Sequence, residues 1–230
     1  MIPAGEVFAR LLAHHGPQHW WPATDRFEII AGALLVQRTA WRNAEAALAG
    51  LRRAGLLDPS AIAAAPIAEI QDCVRPAGFF RSKASRLQRL GEFLRCESRL
   101  EQLAATATPS LRQTLLALEG IGPETADVIL LYAFGRPAVV VDQYLRRFVG
   151  RLGRSSAPPD DSALRAWVAR DLPDAGRLNE FHALVVAHGK AHCAQRALCE
   201  DCALSIDCRS SRRNSESELG EGVGDVAQDA

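Results

Sequence analysis

The chain has almost no lysine. Its 27 basic residues are Lys83, Lys190 and 25 arginines, and arginine is effectively always protonated, so covalent chemistry through a side-chain amine has two possible carriers. No apolar run reaches the 18 residues that mark a membrane span. No basic segment followed by an apolar one opens the sequence, so a secretory signal is not expected either, and a reducing cytoplasm fits the thiolate cluster described below. The alternating patterns that mark strands are scarce. Net charge is also absent, with 27 acids against 27 bases, which suits a polyanion-binding protein poorly until the end of the chain is set apart. Residues 214–230 carry five acids and no base, leaving 27 bases against 22 acids in residues 1–213. The expectation is a mildly basic folded part and a disordered acidic tail over 214–230.

What is present is helix after helix. With 230 residues, 48% of them hydrophobic, the chain can bury a proper core in one or two domains. Apolar residues recur at helical spacing over 27–35, 44–54, 59–65, 67–73, 82–96, 109–118, 124–134, 143–151, 161–171 and 179–188. Turn signals stand between them at Gly16-Pro17, Asp58-Pro59, Arg75 to Gly78, Gly120-Ile121-Gly122 and Ala157-Pro158-Pro159. The fold class is all-α.

Two local patterns carry chemistry. Gly120 and Gly122 separate two apolar helical runs, with Pro123 suited to the first turn of the second, which reads as helix, tight hairpin, helix over about 109–134. Free amides at such a turn can face a phosphate. Eighteen residues past Glu124, Asp142 closes a valine run, placing a carboxylate at the edge of something buried. The second pattern is Cys193, Cys199, Cys202 and Cys208, spaced C-x5-C-x2-C-x5-C, whereas Cys73 and Cys96 are isolated. Four thiols so close in so long a chain suit a metal centre better than disulfides. Zinc and an iron-sulfur cluster both accept four cysteines, and the long outer gaps favour a 4Fe-4S cluster. His188 and His192 lie beside this set and read as structural, since four cysteines complete a site.

The hairpin with its aspartate resembles the endonuclease III superfamily of DNA glycosylases, whose relatives carry a similar cysteine loop with a first gap commonly one residue longer. The segments His-Trp-Trp-Pro (19–22), Leu-Leu-Val-Gln-Arg-Thr-Ala-Trp (34–41) and Val-Arg-Pro-Ala-Gly-Phe-Phe-Arg-Ser-Lys-Ala (74–84), with Gly-Ile-Gly-Pro-Glu-Thr-Ala-Asp, are similar to the 3-methyladenine DNA glycosylase III type over roughly residues 15–192. The cysteine loop is a departure, because the best-known form of that type lacks it.

The resemblance implies a two-domain helix-hairpin-helix fold. Residues 26–138 would form a six-helix domain, and residues 1–25 with 139–213 an iron-sulfur domain, with Asp142 at the junction beside the cleft. It implies base-excision repair of damaged double-stranded DNA by a cytoplasmic, nucleoid-associated monomer without membrane contact. Bifunctional members use a hairpin lysine as nucleophile; the matching residue here is Glu124, and a carboxylate cannot form an imine. The expected enzyme is therefore a monofunctional hydrolase with alkylpurine preference, using Asp142 to stabilise the sugar cation and orient water. Trp20, or Trp21, would sandwich the flipped base with Trp41. Phe79 would be the wedge and Gln37 the gap filler. Gly120 and Gly122, helped by Arg38, Arg81, Lys83 and Arg86, would hold phosphates. The alternatives are an oxidised-pyrimidine glycosylase with weak or no lyase activity and a catalytically silent DNA-binding iron-sulfur protein.

Overall fold

The computed structural model describes residues 2–21, 25–96, 98–153 and 160–211. The acidic tail and the Ala157-Pro158-Pro159 turn fall outside the described residues. Among the described residues the regular structure is entirely helical, and no helix is long and apolar enough to cross a membrane. The chain divides into two compact units, one continuous (Trp21–Ala138) and one discontinuous (Met1–Trp20 with Val139–Ala230).

The discontinuous unit contains α1 (Ala4–His15), α10 (Gln143–Gly153), α11 (Asp161–Asp171) and α12 (Ala175–Ala191). Helix α1 packs on α11 and α12, and α10 packs on α12. The last pair approach closely because residue 189 is glycine: a Cβ there would stand 2.5 Å from a ring carbon of Tyr144. Asp160 caps α11 and Asp174 caps α12, each accepting backbone amides that the first helical turn leaves unpaired. The core is built from Val7, Leu11, Leu145, Phe148, Leu164, Val168, Phe181 and Leu184. Burying each large apolar side chain contributes about 1.5–3 kcal/mol.

The continuous unit holds α2 (Arg26–Leu35), α3 (Trp41–Arg53), α4 (Pro59–Ala64), α5 (Ile67–Val74), a 3-10 turn (Arg75–Ala77), α6 (Phe80–Leu94), α7 (Arg99–Ala105), α8 (Thr108–Leu116) and α9 (Pro123–Tyr132). Helix α2 is buried along nearly its whole length and packs on α3, α6 and α9, as expected of an apolar run without a polar stripe. Asp25 starts it and Asp58 starts α4, each with its carboxylate on free amides. Helices α4 and α6 cross where residue 91 is glycine, since a Cβ there would meet Ile62 at 2.5 Å and the Pro59 carbonyl oxygen at 2.8 Å. Helix α7 was not anticipated. It is seven residues long with only Leu103 buried, so it carries almost no periodic signal.

Candidate active site and metal centre

The hairpin joins α8 to α9. Gly120 sits at φ +85°, where a side chain is strained, and a Cβ there would stand 2.4 Å from Arg86 Cδ. Gly122 differs: it has φ −88° and ψ 178° and caps α9, and a Cβ there would meet nothing within 4 Å. The fold needs glycine at 120 but not at 122. Pro123 opens α9, and Glu124 is exposed in its first turn. Three bonds not foreseen in the sequence brace this turn. The Gln37 amide donates to the Gly120 carbonyl at 2.8 Å and to Thr125 Oγ1 at 2.9 Å. Arg112 Nε on α8 donates to the buried Asp127 carboxylate on α9 at 2.8 Å.

The Val36–Ala40 segment links the hairpin to the turn before α6. Arg38 has φ +57° and Phe79 φ +46°, and the Arg38 guanidinium carbon lies 5.9 Å from the Phe79 ring centre. Phe79 is 64% exposed, whereas the neighbouring Phe80 is half-buried under Arg75 and Arg81 at 4.6 and 5.3 Å. Gln37, Arg38, Phe79 and Gly120 are thus brought together, with Arg81 exposed nearby in sequence on α6.

Lys83 corrects the sequence expectation. It is 2% exposed, and its ammonium donates to the carbonyls of Leu35, Gln37 and Ala77 at 2.8, 2.9 and 2.8 Å. All three of its donors are used, so it ties the end of α2 to the turn before α6 and has nothing left for a phosphate. Burial, and then Arg86, push its pKa down.

The tryptophans divide between the units. Trp21 stands edge-on to Trp41, with ring centres 5.0 Å apart and planes at 64°, and also touches Tyr132 at 5.2 Å. A base between two ring faces needs about 7 Å, twice a carbon contact distance. Trp21 and Trp41 therefore do not sandwich a base as they stand; Trp21 closes on Gly32, whose Cβ would lie 2.9 Å from its ring. Trp20 belongs to the other unit, with its ring 5.3 Å from His182.

In that unit the buried run Val139–Val141 leads to Asp142, which is 6% exposed. Its Oδ1 accepts the Leu145 amide at 2.8 Å, so the carboxylate caps α10. Oδ2 stands 3.6 Å from His182 Nε2 on α12. The half-buried Trp20 and the buried His182 and Asp142 form a series that can fix the orientation of one carboxylate. Sequence reasoning missed His182, because a histidine on an apolar helix face has no pattern of its own.

Cys193, Cys199, Cys202 and Cys208 line one cavity with Phe148 and Leu204. Arg151 holds the loop by donating to Cys193 Sγ at 3.4 Å and to the carbonyls of Ala194 and Gln195. Arg147 donates to the carbonyls of Cys193 and Gly189. Burial raises the pKa of the Cys202 and Cys208 thiols, and the neighbouring cysteines add to it, so thiolates at these two positions are favoured by a bound cation. Four thiols lining one cavity are a donor set that a metal centre accepts.

Comparison with known proteins places this geometry. Residues 31–170 match the family model of the HhH-GPD superfamily base excision DNA repair proteins. A putative DNA repair glycosylase of Methanocaldococcus jannaschii is 37% identical over 89% of this chain and 95% of its own length. Endonuclease III of Thermotoga maritima is 31% identical over 93% of this chain and 96% of its own. Among solved structures, the H. pylori 3-methyladenine DNA glycosylase bound to 1,N6-ethenoadenine is 27% identical, with TM-score 0.71 over 82% of this chain and 98% of that one. An endonuclease III-DNA covalent intermediate, at 22% identity, shares the fold with TM-score 0.75 over 94% of this chain and all of that one. The chain therefore belongs to the HhH-GPD superfamily of base excision DNA repair proteins, as an endonuclease III-like helix-hairpin-helix DNA glycosylase.

Proposed function

We propose that the enzyme is monofunctional: it removes an alkylated purine from duplex DNA by hydrolysis and leaves the strand intact. The observation that carries this reading is the fate of the amines. Glu124, not lysine, stands exposed in the first turn of α9, the ammonium of Lys83 is buried on three carbonyls, and Lys190 lies at the far end of α12. Without an accessible hairpin amine, a Schiff base has no obvious nucleophile.

Asp142 is the catalytic group in this reading. With one oxygen held by the Leu145 amide and the other facing His182, its carboxylate would stabilise the oxocarbenium-like sugar and orient or deprotonate water. An alkylated purine leaves as a good, cationic leaving group and asks little of an acid. Indole faces attract such a cation by about 0.5–2 kcal/mol, which gives Trp20 and Trp41 their place in base recognition. Phe79 would be the wedge. The Gly120 and Gly122 backbone, with Arg38, Arg81 and Arg86, would hold phosphates. Gln37 would fill the vacated space only by giving up its bonds to the hairpin. The four cysteines would hold a 4Fe-4S cluster, which when bound supplies a cross-link for the loop; no step of base removal passes through it. The enzyme would act as a monomer in the cytoplasm.

A second reading, an oxidised-pyrimidine glycosylase, is favoured by the cysteine loop and by the similarity to the Thermotoga maritima endonuclease III. A release assay across alkylated and oxidised bases separates the two. Release of 3-methyladenine without a borohydride-trapped adduct is the expected result. Release of oxidised pyrimidines alone selects the second reading, and a strong covalent adduct rejects the monofunctional one. No release of either base, with DNA affinity unchanged in Asp142→Asn, indicates a binding protein.

A further inference from the structure

Four histidines gather at one end of the discontinuous unit, and base removal uses none of them. His14 and His15 lie in the last turn of α1, and His192 is the C-cap of α12. His14 Nε2 is 3.2 Å from His192 Nε2. The rings of His14 and His15 meet edge-on at 4.6 Å, and one ring nitrogen from each of His14, His15 and His192 lies within 4.8 Å of the others. Behind them, the buried His188 stacks on His192 at 5.3 Å and brings Nδ1 to 3.2 Å from His15 Nε2.

We propose that His14, His15 and His192 form a binding site for a divalent transition-metal ion of the zinc class beside the cysteine centre, whose cavity His188 and His192 also line, with His188 Nε2 3.6 Å from Cys202 Sγ. The spacing supports this first. Zinc-nitrogen bonds of about 2.0–2.1 Å in a tetrahedron put two ligand nitrogens about 3.3–3.4 Å apart, close to the 3.2 Å between His14 and His192. His15 brings a third ring nitrogen within 4.8 Å of the other two. The field supports it independently: α1 and α12 both end here, and each helix C-terminus carries partial negative charge that favours a cation. An all-imidazole set without a carboxylate selects zinc, cobalt, nickel or copper over magnesium or calcium. His188, bonded to His15, would orient that ligand as outer-shell partners do. His14 is exposed and His15 and His192 half-exposed, so an ion can enter from solvent. Because Cys193 follows His192, an ion here would clasp α1 to the start of the cysteine loop.

The test uses the untagged full chain with its cysteine centre loaded, titrated with Co2+ and followed by visible absorption and thermal unfolding. The expected result is one Co2+ per chain with nitrogen-ligand bands and no thiolate charge transfer, a melting temperature raised by Co2+ or Zn2+, and at least tenfold weaker binding in His14→Ala/His192→Ala at unchanged iron content. Should that variant not fold, His14→Gln, altered only at the exposed ligand, must show the same direction of loss. No uptake at micromolar Co2+, equal uptake by the variants, or thiolate charge-transfer bands would overturn the proposal.

Discussion

Trp20 and Trp21 are adjacent, yet one packs on His182 and the other on Trp41 and Tyr132. A sequence can name two tryptophans as pocket candidates, but the direction each ring takes depends on backbone conformation. Here Trp21 has φ +72°, which no local residue preference announces. Lys83 shows the reverse case, a signal that was present and outweighed. Its neighbours Arg81 and Arg86 suggest a basic face, but position 83 falls in the buried stripe Lys83, Leu87, Leu90, Leu94 of α6, and helical spacing alone puts it inside. Lys83→Met leaves three carbonyls without their donor and is expected to cost at least about 3 kcal/mol in denaturant unfolding. Arg81→Ala, on the exposed face, should leave stability within about 0.5 kcal/mol and lower the salt slope of DNA binding by about 1. Asp142 is expected to behave as chemistry rather than structure. Asp142→Asn should lower single-turnover base release by about 100-fold or more while DNA affinity stays within a few-fold.

Helices α2 to α6 and α8 to α11 were legible as elements because each carries either an apolar stripe or a Pro, Asp or Gly boundary. The start of α12 was missed by four residues: its cap, Asp174, precedes a first turn without large apolar residues. The hairpin was legible at its glycines and not at its braces, since Arg112 and Asp127 are fifteen residues apart and meet only when α8 folds back on α9. That buried pair and the half-exposed pair Arg146–Asp161 give contrasting expectations. Asp127→Asn should cost about 1–3 kcal/mol by leaving a partly buried guanidinium bond unmet, and Asp161→Asn no more than about 0.5 kcal/mol. Arg146 holds the Asp161 carboxyl below its ordinary value of 3.8, so the small stabilisation from that pair is full above that pH and is lost as the pH falls through the lower folded value. Thermal unfolding of the two variants at pH 7 and pH 3 checks both the order and the sign.

At the scale of the molecule, the family match over residues 31–170 takes in parts of both units, with the hairpin in one and the capping aspartate in the other, while the four cysteines lie beyond it. The cysteine spacing was legible because metal ligands are fixed in type and close in sequence, whereas the support from Arg147 and Arg151 on α10 was not, since it reaches across more than forty residues. Replacing Cys199 with serine is expected to remove bound iron and visible absorption together, and to lower the melting temperature. We propose for this glycosylase hydrolysis of the base-sugar bond through Asp142 with no cut in the strand. The most direct measurement incubates the protein with methylated duplex DNA labelled on one strand and resolves that strand on a denaturing gel, with and without alkali. The expected result is release of 3-methyladenine, lost in Asp142→Asn, with strand breaks only after alkali. Strand breaks before alkali would show lyase chemistry instead, and release unchanged in Asp142→Asn would remove Asp142 from the reaction.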